Sequence, residues 1–123
     1  MAYIDDFVLD AAVSVFSADT ENLYITSQEA LTYTDAQTTY KLGTKATPGF
    51  TGPADGDASG RKITINAITD GTVDATGTAS HWALTDNSAT RLLAAGALAS
   101  SQDVTSGNTF TLTAFDIEFP DPA

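Results

Sequence analysis

The fold is decided by the last long alternation of apolar and polar residues in the chain, TFTLTAFDIEF at Thr109–Phe119. In its first half the apolar side chains of Phe110 and Leu112 occupy even positions, but from Phe115 onward they occupy odd positions. A β-strand places successive side chains on opposite faces, so its apolar face cannot change parity without a bulge or a bend. The switch predicts that the strand crosses from one sheet to another, or that its outer face meets a partner.

Shorter apolar or alternating runs upstream are expected to be strands. They lie at Asn22–Ser27, Lys62–Ile68, Val73–Gly77, His81–Thr85 and Arg91–Ala95. Asp70-Gly71 is typical of a two-residue type I′ hairpin, and further turns are predicted at Asp86–Ala89 and Asp103–Asn108. Short strands separated by such turns predict a mainly β fold, an antiparallel β-sandwich.

The N-terminal segment is expected to be an amphipathic helix at about Ile4–Phe16, packed against the sandwich. Its apolar residues recur at three- and four-residue spacing: Ile4, Val8, Ala11, Ala12 and Val15, with Phe7 and Phe16 widening the stripe. This stripe is expected to face the sheet. The alternative is a pair of strands at Phe7–Leu9 and Val13–Phe16, but no Pro or Gly interrupts the helical pattern. A short helix or 3₁₀ turn is predicted at Asp35–Tyr40, because Thr34–Gln37 has the form of a capping box.

Residues Gly43–Gly60 are expected to form a long loop, because no apolar period survives there except the lone Phe50. A segment with so little apolar surface is expected to be mobile alone and ordered against a neighbouring protein. Asp55 and Asp57 are weak candidates for a bound cation. The position at which a calcium loop places its bidentate Glu is occupied here by Asn66, which argues against a calcium loop.

The composition excludes several classes of function. The 123 residues suffice for a single domain, residues 1–123. Five Lys and Arg against 16 Asp and Glu give a formal net charge of −11, which disfavours nucleic acid and an anionic membrane as partners. With no Cys and one His, neither a metal nor a cofactor is expected. The acidic N-terminus differs from the basic start of a signal peptide, so we expect a product made in the cytoplasm.

No constellation of residues indicates catalysis, and an enzyme is not expected. His81 follows Ser80 in a strand, so the two side chains are expected on opposite faces, which would separate a base from its nucleophile. We interpret His81 as structural. Trp82 is interpreted as an anchor in the core or at an interface, or, together with Tyr33, as a surface that stacks on a sugar.

Seven residues are candidates for contacts with a partner protein. They are Phe50, Arg61, Lys62, Trp82, Phe115, Ile117 and Phe119. The basic pair Arg61-Lys62 is expected to deter edge pairing of a strand, to balance Asp55 and Asp57, or to meet an acidic neighbour. The three apolar residues of the last strand are either buried or form the assembly surface. Burial is favoured, because Asp116 and Glu118 alternate with them and provide a separate solvent face.

Several motifs resemble a group of small proteins encoded by phages and prophages of alphaproteobacteria. They are GTASHWALTD at Gly77–Asp86, RLLA at Arg91–Ala94, VTSGNTFTL at Val104–Leu112, FDIEFP at Phe115–Pro120, and LYITSQE at Leu23–Glu29 followed by Thr32-Tyr33. The resemblance covers most of the chain except Gly43–Gly60. It implies a virion component, because larger phage tail-fibre and head-fibre proteins contain similar β modules, and it transfers no catalytic residue.

The resemblance and the composition together predict a phage virion structural protein. We expect a head decoration (cement) protein that binds the major capsid protein, or other virion proteins, on the capsid exterior in many copies, as a homo-oligomer within the particle. The alternatives are a tail or neck component, including a tail-tip adaptor, and a carbohydrate-binding module. The expected location is the virion.

Overall fold

The structure, a computed structural model, describes residues 4–57 and 59–120. These residues form one α-helix, α1 (Asp6–Asp19), a short π-helix (Asp35–Thr39) and nine strands. The strands are β1 (Asn22–Thr26), β2 (Lys41–Ala46), β3 (Phe50–Asp55), β4 (Arg61–Ile65), β5 (Ile68–Val73), β6 (Gly77–Asp86), β7 (Arg91–Val104), β8 (Thr109–Leu112) and β9 (Phe115–Phe119). The predicted class is confirmed: the chain is mainly β, its sheets are antiparallel, and one N-terminal helix packs against a sheet, consistent with a β-sandwich plus a helix.

The strands form two antiparallel sheets. One has six strands in the order β7-β6-β1-β2-β5-β8, and the other has three in the order β3-β4-β9. The three-stranded sheet and α1 form one compact unit, assembled from the segment that ends at Asp19, the segment Gly49–Ala67 and the segment that starts at Thr113. The six-stranded sheet and the π-helix form a second unit, Thr20–Pro48 and Ile68–Leu112.

The change of parity in the last alternation marks the passage of the chain from one sheet to the other. β8 belongs to the six-stranded sheet and β9 to the three-stranded sheet. Phe110 and Leu112 are buried, as predicted. A second change of parity, from odd to even apolar positions, lies between Ile65 of β4 and Ile68 of β5. Both residues are buried, and their strands belong to different sheets. The prediction of a crossing strand is therefore confirmed.

The helix packs on the three-stranded sheet through Leu9, Val13 and Phe16, which are all buried. The ring of Phe16 meets that of Phe119 in β9 edge to face, with ring centroids 6.2 Å apart. The helix begins and ends slightly later than predicted, and the alternative of two strands is wrong. Within residues 4–57 and 59–120, no helix has both the length and the apolar character needed to cross a membrane.

The predicted contact face of the helix is wrong. Val8, Ala11 and Val15 are exposed, and Ile4, which lies before the first turn, is partly exposed. The reason is that α1 carries two apolar stripes on opposite sides. The periodicity that identifies a helix does not say which of two stripes a sheet will cover.

The predicted loop at Gly43–Gly60 is also wrong, since most of it belongs to β2 and β3. β3 is an edge strand that pairs only with β4, and the register between them shifts between Thr51 and Ala54, where Pro53 lies. A proline is tolerated at such a place because an edge strand has one unpaired side. Most side chains of β3 are exposed, so the strand has no apolar period to detect.

The Asp70-Gly71 pair lies inside β5 and does not form the predicted hairpin turn. The strand runs through both residues, and its register with β8 shifts between Ile68 and Gly71. Gly71 is required by space: a Cβ atom there would lie 2.3 Å from ring atoms of Phe110. The strand predicted at Val73–Gly77 is likewise wrong, because β6 begins only at Gly77.

The strand predicted at Lys62–Ile68 is too long, because β4 ends at Ile65 and Ile68 begins β5 in the other sheet. The second unit confirms the strands predicted at Asn22–Ser27 and His81–Thr85, and the strand predicted to start at Arg91 continues to Val104. β1 is buried from Leu23 to Thr26, as its unbroken apolar run indicates. Tyr24 in β1 packs with Ala30, Ala36 and Ala83, so the segment that contains the π-helix covers one face of β1. The turn between β6 and β7 is confirmed, as is the turn near Gly107, which has a φ of +89°.

The short helix that begins at Asp35 is a π-helix, because the Tyr40 amide donates to the Asp35 carbonyl five residues earlier, at 2.8 Å. The predicted box at Thr34–Gln37 is wrong, because the Thr34 side chain makes no capping hydrogen bond and the capping hydroxyl belongs to Thr32, two residues earlier. The Asp35 amide donates to Thr32 Oγ1 at 3.1 Å, and the Leu31 amide donates to Asp35 Oδ2 at 3.2 Å.

Candidate interaction surface

Three of the four large apolar side chains that are exposed among the described residues lie on the outer side of α1. Phe7 is 79% exposed, Val8 54% and Val15 43%, and Ala11 between them is also exposed. At about 100° of rotation per residue, these four positions fall within one quarter to one third of the helix circumference. We call Phe7, Val8, Ala11 and Val15 the outer stripe.

The outer stripe lies opposite the buried face of the helix. On the same helical wheel the buried Leu9, Val13 and Phe16 are centred about half a turn away from it. When a helix packs on a sheet, it buries one apolar face, and its opposite face is usually polar. The second apolar face of α1 therefore needs another explanation, and a contiguous exposed apolar patch is typical of an interaction surface.

An ion-pair cluster holds one flank of α1 to β4. Arg61 Nε lies 2.6 Å from Asp10 Oδ1, and its Nη2 donates to the second oxygen of the same carboxylate at 3.5 Å. Arg61 Nη1 lies 2.6 Å from Asp55 Oδ1 in β3. Asp5 caps the first turn by accepting from the Phe7 amide at 2.8 Å. These contacts fix the rotation of the helix and keep the outer stripe directed to solvent.

A second ion-pair cluster lies on the same sheet around Lys62. Its Nζ lies 2.8 Å from Asp57 Oδ1 and 3.2 Å from Asp116 Oδ2, and Thr64 Oγ1 donates to the other oxygen of Asp116 at 2.7 Å. The prediction that the basic pair balances Asp55 and Asp57 is confirmed. The prediction that it protects an edge is wrong, because β4 is the central strand.

The two carboxylates proposed as weak cation ligands are thus engaged in ion pairs. Asp55 pairs with Arg61 and Asp57 with Lys62. Among residues 4–57 and 59–120, no group of three or more His, Cys, Asp or Glu side chains is arranged to hold a metal ion. The arrangement of these residues therefore serves to stabilise the sheet.

Asp116 makes the stability of this unit sensitive to acid. The hydrogen bond from Thr64, followed by the contact with Lys62, lowers the pKa of Asp116 below its ordinary value of 3.8. A carboxyl group whose pKa is lowered by folding stabilises the folded state above its unfolded pKa, and that contribution is lost as the pH falls through the folded pKa.

We expect the three-stranded unit to lose stability as the pH falls below about 4, and Asp116→Asn to flatten that dependence. Urea unfolding at a series of pH values, followed by far-UV circular dichroism, measures the effect. Glu29→Gln removes the same charge from an exposed position in the other unit and serves as the control. If Asp116→Asn and Glu29→Gln showed the same acid dependence as the unmodified chain, the assigned role of Asp116 would be wrong.

The sequence-predicted contact residues are divided between the two units. Phe50, Phe115, Ile117 and Phe119 are all half-buried within the unit of α1 and the three-stranded sheet. Trp82 is half-buried in the other unit, where it pairs with Gly96 of β7. A Cβ atom at Gly96 would lie 2.8 Å from the indole ring, so the ring covers that glycine.

Ser80 and His81 are close together, contrary to the prediction that they point apart. Ser80 Oγ lies 2.7 Å from His81 Nδ1, and it also donates to the carbonyl oxygen of Ser27 at 3.0 Å. With the hydroxyl proton directed to Ser27, the imidazole is the donor in its contact with Ser80. A nucleophilic serine needs the opposite transfer, from its hydroxyl to the imidazole. This geometry agrees with a structural role for His81.

Sequence reasoning therefore missed the outer stripe as a surface, although it named all four of its residues. The signal was present: the two stripes of α1 together make the helix apolar on two sides. Comparison of the chain with protein-family models, with curated proteins and with solved structures gave no match.

Proposed function

We propose that the chain is a structural protein of a phage particle, a head decoration protein that binds the exterior of the capsid in many copies. The observation that carries the proposal is the outer stripe. It is an exposed apolar surface on a helix whose other face and flank are fixed by the core and by Arg61. A rigid apolar surface of this kind suits attachment to another protein.

The composition supports the same proposal. A formal net charge of −11 suits a position outside the capsid, because packaged DNA would repel an acidic protein. The chain contains no Cys, which suits a protein that is made and assembled in a reducing cytoplasm, where disulfides are rare. The resemblance of Gly77–Asp86 and Phe115–Pro120 to small phage and prophage proteins is the reason for proposing a phage particle.

The proposal is tested by measuring the protein in purified particles of the phage or prophage that encodes it. We expect quantitative mass spectrometry to find a copy number that scales with the major capsid protein, and to find the protein on intact heads separated from tails. A small fixed number of copies on tails would replace the decoration role by a tail or neck role. Its absence from purified particles would exclude a virion role.

A further inference from the structure

We propose that the outer stripe of α1 is the capsid-binding surface itself, and that it occupies an apolar groove with a basic rim on a different protein. The inference rests on the proposed function and specifies which surface makes the attachment and what chemistry receives it. The proposed occupant is this different protein and not a second copy of the chain.

The first argument is the geometry of the stripe. Phe7, Val8, Ala11 and Val15 present apolar side chains on one side of a helix at the spacing with which amphipathic helices fill grooves. The remaining large apolar side chain that is strongly exposed among the described residues, Leu31, lies in the other unit.

The second argument is that the stripe is already in its binding form. The opposite face of α1 is locked by three buried side chains, and one flank is held by the pair of Asp10 with Arg61. A surface that is ordered before binding loses little conformational entropy when it binds. A helix that folded only on contact would need no such second set of contacts.

The third argument is charge, and it decides the occupant. α1 contains no basic residue, and the first Lys or Arg of the chain is Lys41. Asp5 and Asp6 lie at one end of the stripe and Asp19 at the other, while the charge of Asp10 is balanced by Arg61. Two copies meeting through this surface would bring acidic ends together, whereas a rim of Lys or Arg would complement them.

The test is a binding assay with purified chain and purified heads from a phage in which the gene has been deleted. Val8→Asp and Val15→Asp place a charge in the stripe without burying it in the folded chain, so both should fold normally. We expect each to weaken co-sedimentation with heads by at least about tenfold. Leu31→Asp makes the same kind of change at an exposed residue of the other unit and should bind like the unmodified chain.

Salt and sedimentation measurements test the chemistry of the partner. Binding of the unmodified chain should weaken as the NaCl concentration rises, because salt screens the attraction between the acidic ends and a basic rim. If the affinity did not change with NaCl concentration, the proposed basic rim of the groove would be wrong. Dimers of the free chain that dissociate on Val8→Asp would show a second copy as the occupant and overturn the inference.

The assay separates the two proposals. If the unmodified chain does not bind heads, the proposed function is wrong and the inference falls with it. If the unmodified chain binds and the Val8→Asp and Val15→Asp variants bind equally well, the inference alone is wrong.

Discussion

Val13→Asp is expected to destabilise the unit of α1 and the three-stranded sheet by about 3–5 kcal/mol, because it buries a carboxylate without a partner. Val13 has no exposed surface and lies on the face of α1 that packs on the sheet. Val8→Asp makes the same chemical change in the same helix. There we expect a change within about 0.5 kcal/mol, since Val8 is more than half exposed.

The comparison is made by urea unfolding followed by far-UV circular dichroism, with both variants and the unmodified chain under one set of conditions. The pair of variants separates burial from helix propensity, because both replace a β-branched residue by Asp within α1. Equal losses of stability in the two variants would mean that the helix buries a different face. No loss in either variant would mean that the helix is not docked.

Gly71→Ala is expected to destabilise the six-stranded unit by about 1–3 kcal/mol through overpacking. The added Cβ atom would lie 2.3 Å from Cε1 and Cζ of Phe110, a ring that is 2% exposed and so has little space into which it can move. The cost should fall when the ring is made smaller. In Gly71→Ala, the additional change Phe110→Leu should therefore cost less than it does in the unmodified chain.

A matched control is available at Gly107, which has a φ of +89° and where an added Cβ atom would have open space around it to 4 Å. Gly107→Ala should cost stability through backbone strain alone, and Phe110→Leu should not relieve it. Urea unfolding of the three single and two double variants gives the coupling energies. If Phe110→Leu cost the same stability in the unmodified chain, in Gly71→Ala and in Gly107→Ala, that result would show that Gly71 is not needed to make room for the ring.

The sequence predicted the passage between sheets because the physical rule behind it is local. The side chains of a strand alternate with a period of two, so the parity change between Leu112 and Phe115 could not be accommodated in one continuous strand. The existence of α1 was also predictable, from unbroken helical spacing. Which face it buries was not, because Leu9 and Val13 and the outer stripe have equally good periodicity.

Other features depend on contacts between distant parts of the chain. Asp10 and Arg61 are separated by 51 positions, and no local pattern pairs them. Asp70-Gly71 is a strong local turn signal, yet β5 continues through it, and the glycine instead leaves space for the distant ring of Phe110. β3 was not recognised because an edge strand with exposed side chains carries no apolar period.

Because each sheet combines distant segments of the chain, the two sheets cannot be completed at the same time during synthesis. α1 is synthesised early, but the sheet that it covers contains β9, which follows every strand of the six-stranded sheet. Until β9 has been made, a nascent chain can complete the six-stranded sheet but not the three-stranded one. During that interval the face of α1 that carries Leu9, Val13 and Phe16 lacks part of its final cover, so the growing chain presents a target for chaperones and a risk of aggregation.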